Sequence, residues 1–212
     1  TSVLVVEQPN INHIKMTAFD HSGQPVSSAV SGTDYVFANR YRAHRFPNFK
    51  IPTNRSVKYI LLEVQGDAQI SMPLNFVSES RMSKDYSTGY YLFFAYLGIV
   101  LAMFLYNAFI YISTKDPNYL IYVGYVVTVV FAQAVLQGQF FQYVVPDNPY
   151  FASQSVYWSG SLSGIDVLIF LMNFLKTRES LLWYHNFIRA YFGLYVLAII
   201  LSLVGYQGVS YN

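Results

Sequence analysis

The chain has 212 residues, 54% of them hydrophobic and only 11% charged, with a formal net charge of +2. Soluble domains carry about 25% charged residues, so a wholly water-soluble fold is excluded, and the small scattered positive balance, with no basic helix or aromatic-basic ladder, excludes nucleic-acid binding. With no cysteine there is no disulfide and no thiolate metal site, which leaves the redox compartment open.

Residues 1–80 read as β structure. Ser2 to Val6 is a short apolar strand, and His13 to Phe19 alternates with Ile14, Met16 and Ala18 on one face; Ser22 to Pro25 is turn chemistry leading to the next strand. Lys58 to Val64 is apolar on both faces, which predicts a central strand. Gln69 to Phe76 alternates again, with Ile70, Met72, Leu74 and Phe76 predicted inward and Pro73 on the other side, a proline that confines the strand to an edge or a bulge. Short strands with turns about every ten residues point to a sandwich or jelly roll. About 80 residues is thin for a whole one, so strands upstream are expected.

Residues 81–89 read as a polar linker, and four spans follow at about 90–112, 119–138, 153–175 and 183–205. From Tyr90 to Ile112 there is no charge, and at 1.5 Å per residue that run crosses the roughly 30 Å hydrocarbon core of a bilayer. Lys115, Asp116 and Pro117 stop the helix before the chain turns back. Tyr86, Tyr90 and Tyr91 fall where an interfacial aromatic belt would lie. Lys115, Lys176, Arg178 and Arg189 flank one set of helix ends, whereas the 139–152 loop carries Asp147 and no positive residue. By the positive-inside rule the β domain and that loop are outside the cell membrane. Beginning at Thr1 and ending at Asn212 after an apolar run, the chain reads as a piece of something longer.

Arg40, Arg42 and His44 alternate, so on a strand they would share a face able to grip an anionic sugar, a phosphate or a lipid headgroup, with Tyr35 or Tyr41 stacking on a ring. The plainer reading is a solvated face, and the absence of tryptophan from this part weakens the sugar reading. In the third span Ser159, Ser163, Asp166 and Asn173 fall on one helical stripe. A carboxylate near mid-bilayer costs about 2.5 to 3.5 kcal/mol to insert, so Asp166 must face protein or water. It is the strongest single candidate for an intramembrane switch, as a bundle-interior contact with Asn107 or Gln133, or as a proton or cation relay. Gly160 and Gly164 form a small-xxx-small pair that lets another helix approach. An intramembrane serine hydrolase is excluded, because Leu162 occupies the centre of the only suggestive serine motif and Ser163 and His185 lie at different depths. No metal-ligand spacing, phosphate loop or carboxylate pair appears; no catalytic residue, cofactor or metal is expected.

Gly32, Thr33, Asp34, Phe37 and Arg40, then the run Phe46 to Pro52, Tyr59 to Val64 and Ile70 to Leu74, resemble the extracellular domain of the bacterial seven-transmembrane receptors with diverse intracellular signalling modules (7TMR-DISM). Tyr91 to Gly98, Met103 to Asn107, Lys115 to Leu120 and Gly138 to Pro146 resemble that family's first two spans and the loop after them. Where the family's strand carries an arginine, this chain has Leu62. The resemblance implies a periplasmic jelly-roll sensor likened to carbohydrate-binding modules, seven spans in full, and a cytoplasmic diguanylate cyclase, histidine kinase or phosphatase.

The expectation is therefore a membrane protein: a partial all-β jelly-roll or sandwich ectodomain, then an α-helical transmembrane bundle, in the bacterial inner membrane with the β domain periplasmic. Its function is that of a signalling receptor whose partners are the bilayer, a carbohydrate or envelope protein, and in one mode a second copy of itself. The other two readings are an assembly protein that docks an envelope complex, and an ion-coupled transporter built on Asp166.

Overall fold

The computed structural model describes residues 2–52, 57–66, 70–174 and 182–203. Gln69, the loop cations Lys176 and Arg178, and the ends expected for the third and fourth spans, at 175 and 205, lie outside the described residues. The chain forms two compact units: Thr1–Tyr90 together with Ala134–Gln154, and Tyr91–Gln133 together with Ser155–Asn212.

Among the described residues the first unit is built on six strands: β1 (Ser2–Val6), β2 (His13–Phe19), β3 (Pro25–Ser31), β4 (Asn48–Lys50), β5 (Tyr59–Gln65) and β6 (Leu74–Ser78). They make two three-stranded antiparallel sheets, ordered β4-β1-β6 and β3-β2-β5. Side chains on one face of each sheet close the core between them. Leu4, Val6 and Phe49 from the first sheet meet Ile14 and Met16 from the second, with Ile11 between strands. The alternation of β2 is what makes this possible, since period-two spacing sends Ile14, Met16 and Ala18 to one side, where all three are buried.

β1 is covered on its other face as well. Val3 and Val5 pack with Val77, Met82, Tyr41 and Phe46, so the strand sits between the inter-sheet core and a second layer made from a loop and the first helix. β5 lies at the edge of its sheet rather than at its centre. Ile60, Leu62 and Val64 face the core while Tyr59 and Leu61 are exposed, so its apolar character on both sides does not mark a central position.

β6 is also an edge strand, as Pro73 before it requires. Its register pairs Leu74 with Val6 and Phe76 with Leu4, and opposite residues share a face. Leu74 and Phe76 therefore do point to the core side. They are nonetheless exposed, because the second sheet, which runs from β3 to β5, leaves them uncovered among the described residues. For these two the expectation of burial is corrected by the extent of the facing sheet, not by the parity of the strand. Ile70 and Met72, also exposed, precede β6 and lie on no strand, so the strand expected over Gln69 to Phe76 begins only at Leu74.

Among the described residues the helices are α1 (Glu79–Thr114), α2 (Pro117–Leu136), α3 (Gln139–Tyr143), α4 (Pro149–Phe174) and α5 (Leu182–Leu203). Four of them, all but α3, are long and apolar enough to cross a membrane. The 81–89 stretch is no linker: α1 begins at Glu79, directly after β6, and is continuous over 36 residues. At 1.5 Å per residue it is about 54 Å long, well beyond the roughly 30 Å of hydrocarbon, so its polar first turns continue the helix outside the lipid. Many of the large apolar side chains on the spans face outward, among them Leu92, Ile99, Phe109, Val127 and Leu197, as a lipid-facing surface demands.

The turn between α1 and α2 has the expected chemistry. Lys115 takes a left-handed φ of 57° and its N–H donates to the Tyr111 carbonyl at 2.8 Å, closing α1. The Asp116 carboxylate accepts from the Asn118 N–H at 2.9 Å at the start of α2, with Pro117 in the first helical position.

Candidate functional site

Residues 37–47 do not form a strand. Phe37–Asn39 is a single 3-10 turn and the chain then bends until β4, so Arg40, Arg42 and His44 do not line one solvated face. Each takes a different place, and the segment as a whole is the part of the β unit on which the piece of chain after the second span is seated.

Arg40 is buried. Its guanidinium lies 4.7 Å from the centre of the Phe37 ring and 5.2 Å from that of Phe141 on α3. The two rings meet edge to face at 5.4 Å. One terminal nitrogen, Nη1, donates to the carbonyl of His44 at 2.7 Å and to that of Arg45. Among the described residues Nε and Nη2 are buried without a hydrogen-bond partner, and no carboxylate forms an ion pair with the group. Burial pushes its pKa down to about 9, and at neutral pH the cation is held by two π faces and two carbonyl dipoles. Phe37, Phe141, Ala152 and Val145 close over it as a small apolar cluster. The Phe37 N–H donates to the Pro146 carbonyl at 2.8 Å, a main-chain tie across the same contact.

A second tie uses Arg45. Its Nη1 donates to Gln137 Oε1 at 3.1 Å, and Gln139, with its amide oxygen turned toward the guanidinium, accepts from the same nitrogen at 3.0 Å. The Tyr90 hydroxyl donates to Gln142 Oε1 at 3.0 Å. Between these contacts sits Gly138, with φ of 78°; a Cβ there would stand 2.6 Å from the Pro9 side chain and 3.1 Å from the Arg45 carbonyl. Only a glycine satisfies both the left-handed backbone and the close approach.

Arg42 instead pairs with Glu79, the first residue of α1, at 2.7 Å. The same carboxylate oxygen accepts from the Tyr41 hydroxyl, and the Tyr41 ring has the cations of Arg42 and Lys50 at 5.2 and 5.7 Å. Those two hydrogen bonds, from Tyr41 and then from Arg42, hold the Glu79 carboxyl below its ordinary range. A cleft of about 550 Å³ opens beside this pair, lined by Arg42, His44, Glu79, Met82, Ser87 and Tyr90. Tyr35 stands elsewhere, with its hydroxyl 2.7 Å from His13 Nδ1.

His44 is buried, and its Nδ1 accepts from the Phe46 N–H at 3.1 Å, which places the ring proton on Nε2. Burial, then the charges of Arg45 and Arg40, push its pKa down to about 4, against a smaller opposing pull from Glu7. A base whose folded pKa is depressed destabilises the fold as pH falls, because between 6.5 and about 4 the unfolded chain takes up the proton and the folded chain does not. The melting temperature of the β unit is therefore expected to drop as pH is lowered from 7 toward 4. His44→Gln should flatten that dependence above pH 4.5, the ordinary value for Glu79, in a circular-dichroism melt series.

Two family models match the chain: 7TMR-DISM extracellular 2 over residues 1–78, and 7TM diverse intracellular signalling over residues 89–212. The chain belongs to the 7TMR-DISM family. No curated protein and no solved structure matches it. It is thus a multi-pass transmembrane signalling receptor chain, with a β ectodomain and membrane helices, and both matched regions are sensory receptor domains rather than catalytic ones.

In this 7TMR-DISM chain several members of the polar stripe expected along the third span bond within their own helix. Ser159 donates to the Val156 carbonyl, Ser163 to that of Ser159 and Asn173 to that of Ile169, each within α4, and Asn107 donates to the Met103 carbonyl within α1. Short polar side chains in a helix satisfy themselves on the preceding turn. Gln133 is half-buried on α2. Asp166 is the exception, its Oδ2 buried without a hydrogen-bond partner among the described residues. The two small residues also separate: a Cβ on Gly164 would meet the Tyr195 ring of α5 at 2.5 Å, whereas Gly160 has open space around it. Among the described residues Gly164, and not Gly160, is in close contact with another helix.

The residues that sequence reasoning missed are Phe37, Arg45 and Glu79 on the β side and Gln137, Gly138, Gln139, Phe141 and Gln142 after the second span. The available signal was the 138–146 run itself, rich in glutamine and aromatic residues yet free of lysine and arginine, which is a composition for docking on protein rather than for a solvated loop.

Proposed function

We propose that this chain is the sensing and membrane part of a receptor of the bacterial inner membrane, its β sandwich in the periplasm. The sandwich responds to a small ligand or an envelope partner, with carbohydrate among the classes the family resemblance suggests. A cytoplasmic output module of the cyclase, histidine kinase or phosphatase class reads the state of the helices. Lys115 in the short α1–α2 turn and Arg189 near the start of α5 support that orientation.

One observation carries the reading: the buried Arg40 cation, clamped between Phe37 of the β unit and Phe141 of the segment that joins the second and third spans. A buried charge with no counter-ion among the described residues has its stability set by the few dipoles and rings around it. Small shifts of the loop that carries it therefore alter how firmly the interspan segment is held. A ligand that prefers one arrangement of that loop would bias the segment by its differential affinity.

The test is Arg40→Met in the receptor in its own membrane, comparing the activity of the output domain with hydrogen exchange over residues 139–152. Exchange in that segment should rise and output should change by about fivefold or more, the scale of an allosteric coupling. Output that stays at the unmodified level while exchange rises would sink the proposal and favour a docking or assembly role.

A further inference from the structure

The cleft beside Glu79 has the charge pattern of a receptor for one particular chemistry. Among the described residues its wall carries one guanidinium and one carboxylate, Arg42 and Glu79, closed on each other at 2.7 Å, with the Arg42 side chain 57% exposed and that of Glu79 29% exposed. The third ionisable neighbour, His44, is neutral above pH of about 4, so the described lining residues carry no net charge. A ligand with a single charge must open the pair and leave one member bare. A molecule bearing an anionic group and an ammonium a few bonds apart can exchange with it, the anion taking the guanidinium and the ammonium taking the carboxylate, so that both charges stay satisfied.

The apolar features agree with a short body between two charges. Met82 is buried beneath the cleft, and Ala43 and the Tyr90 ring complete the apolar wall. A sugar would need an open aromatic face, and Tyr90 does not offer a free one on the Arg45 side: the Arg45 guanidinium lies 5.5 Å from the ring centre, and the His44 ring meets Tyr90 edge to face at 5.8 Å. The volume, about 550 Å³, admits a headgroup or a free amino acid with room for water.

We propose that this cleft binds a small zwitterion, of the amino-acid or phosphoethanolamine type, which enters by replacing the Arg42–Glu79 ion pair. The proposal rests on the receptor reading and names its ligand class. Binding separates the loop that bears Arg42 from the first residue of α1, and that loop continues into His44 and Arg45, whose carbonyls hold Arg40. Occupancy of the cleft and the state of the buried clamp are thus connected through the chain from Arg42 to Arg45.

The experiment measures calorimetric binding of five probes to the full chain in nanodiscs of phosphatidylglycerol, a lipid with no ammonium to compete. The probes are glycerophosphoethanolamine, L-alanine, ethanolamine, glycerol phosphate and maltose. At least one of the first two should bind, and ethanolamine and glycerol phosphate, which carry charge of one sign only, about tenfold or more weakly, the factor for one lost charge-assisted contact. Glu79→Gln and Arg42→Gln should each weaken the zwitterion by a similar factor. Glycerophosphoethanolamine binding without alanine assigns the source to a lipid headgroup, and the reverse to a free amino acid. Binding of glycerol phosphate, ethanolamine or maltose as tight as either zwitterion, or no binding of either zwitterion, overturns the proposal. The probe series on the unmodified chain decides this even where a variant fails to fold. Maltose binding would overturn the ligand class while leaving the receptor reading standing, because the latter is judged by the output of Arg40→Met.

Discussion

Gly138→Val is expected to detach the segment after the second span from the β unit. Two costs combine. A left-handed backbone costs a residue with a Cβ about 1–2 kcal/mol, and a branched side chain set where a Cβ would already stand 2.6 Å from Pro9 and 3.1 Å from the Arg45 carbonyl adds an overpacking cost of about 1–3 kcal/mol. Contacts that hold the segment include the Phe37–Pro146 main-chain bond, the Asn10 bond to the Leu136 carbonyl, the Arg45 bonds to Gln137 and Gln139, the Tyr90 bond to Gln142, and the small cluster around Phe141. A combined cost of several kcal/mol is comparable with what such a patch supplies, so the segment should open while the two sheets stay folded. Native-state hydrogen exchange reads this directly. Protection should fall over 137–152 and persist in β1 and β2, and Gly138→Ala should give a smaller change of the same sign. Unchanged protection over 137–152 in the valine variant would mean that this contact is not what seats the segment.

Phe141→Ala is expected to cost about 3–5 kcal/mol of local stability, the usual range for deleting a buried phenyl ring. Phe141 is buried, and its ring is one of two faces on which Arg40 rests. Truncation leaves a cavity and uncovers a cation that has no counter-ion among the described residues. Phe141→Leu separates these effects, since it keeps most of the volume and removes the π face. Combined with Arg40→Met in a double-mutant cycle, it should give a coupling of about 0.5–2 kcal/mol between the two positions, the range for cation–π contacts from exposed to desolvated. A coupling of zero would assign Phe141 to apolar packing alone.

Much of this was legible in the residues, and what was not has physical causes. The alternation of Ile14, Met16 and Ala18 predicts the buried face of β2, and the charge-free run from Tyr90 with the Lys115–Pro117 stop predicts the first helical hairpin, because burial and desolvation act on each side chain where it stands. Arg40, Arg42 and His44 also alternate, yet they lie on a bent loop. Period two is necessary for a strand but not sufficient, and the partner that decides Arg40's place, Phe141, comes from beyond two spans. Leu74 and Phe76 show the opposite limit: the pattern assigns them to the right side of the sheet but cannot say whether a second layer lies over that side. The polar stretch at 81–89 reads as a linker because a solvated helix and a solvated coil need the same side chains. Glu79 escaped notice for the same reason, since a lone carboxylate at a helix start acquires its meaning only from Tyr41 and Arg42 across the fold.

The β unit is discontinuous in sequence, closed by Ala134–Gln154 after an intervening pair of spans, and this bears on how such sensors can be exchanged. A cassette cut at the start of the first span carries Phe37 and Arg40 but neither Phe141 nor Ala152, so a graft onto another relative's helices meets a foreign 138–146 run in place of its own lid. Recombination between family members should therefore succeed when the ectodomain and that run travel together, and substitutions at Phe37, Arg40 and Pro9 should be tolerated in step with those at Phe141 and Gly138. The heritable sensing module is then not the β sandwich alone but the sandwich with a strap borrowed from the membrane half.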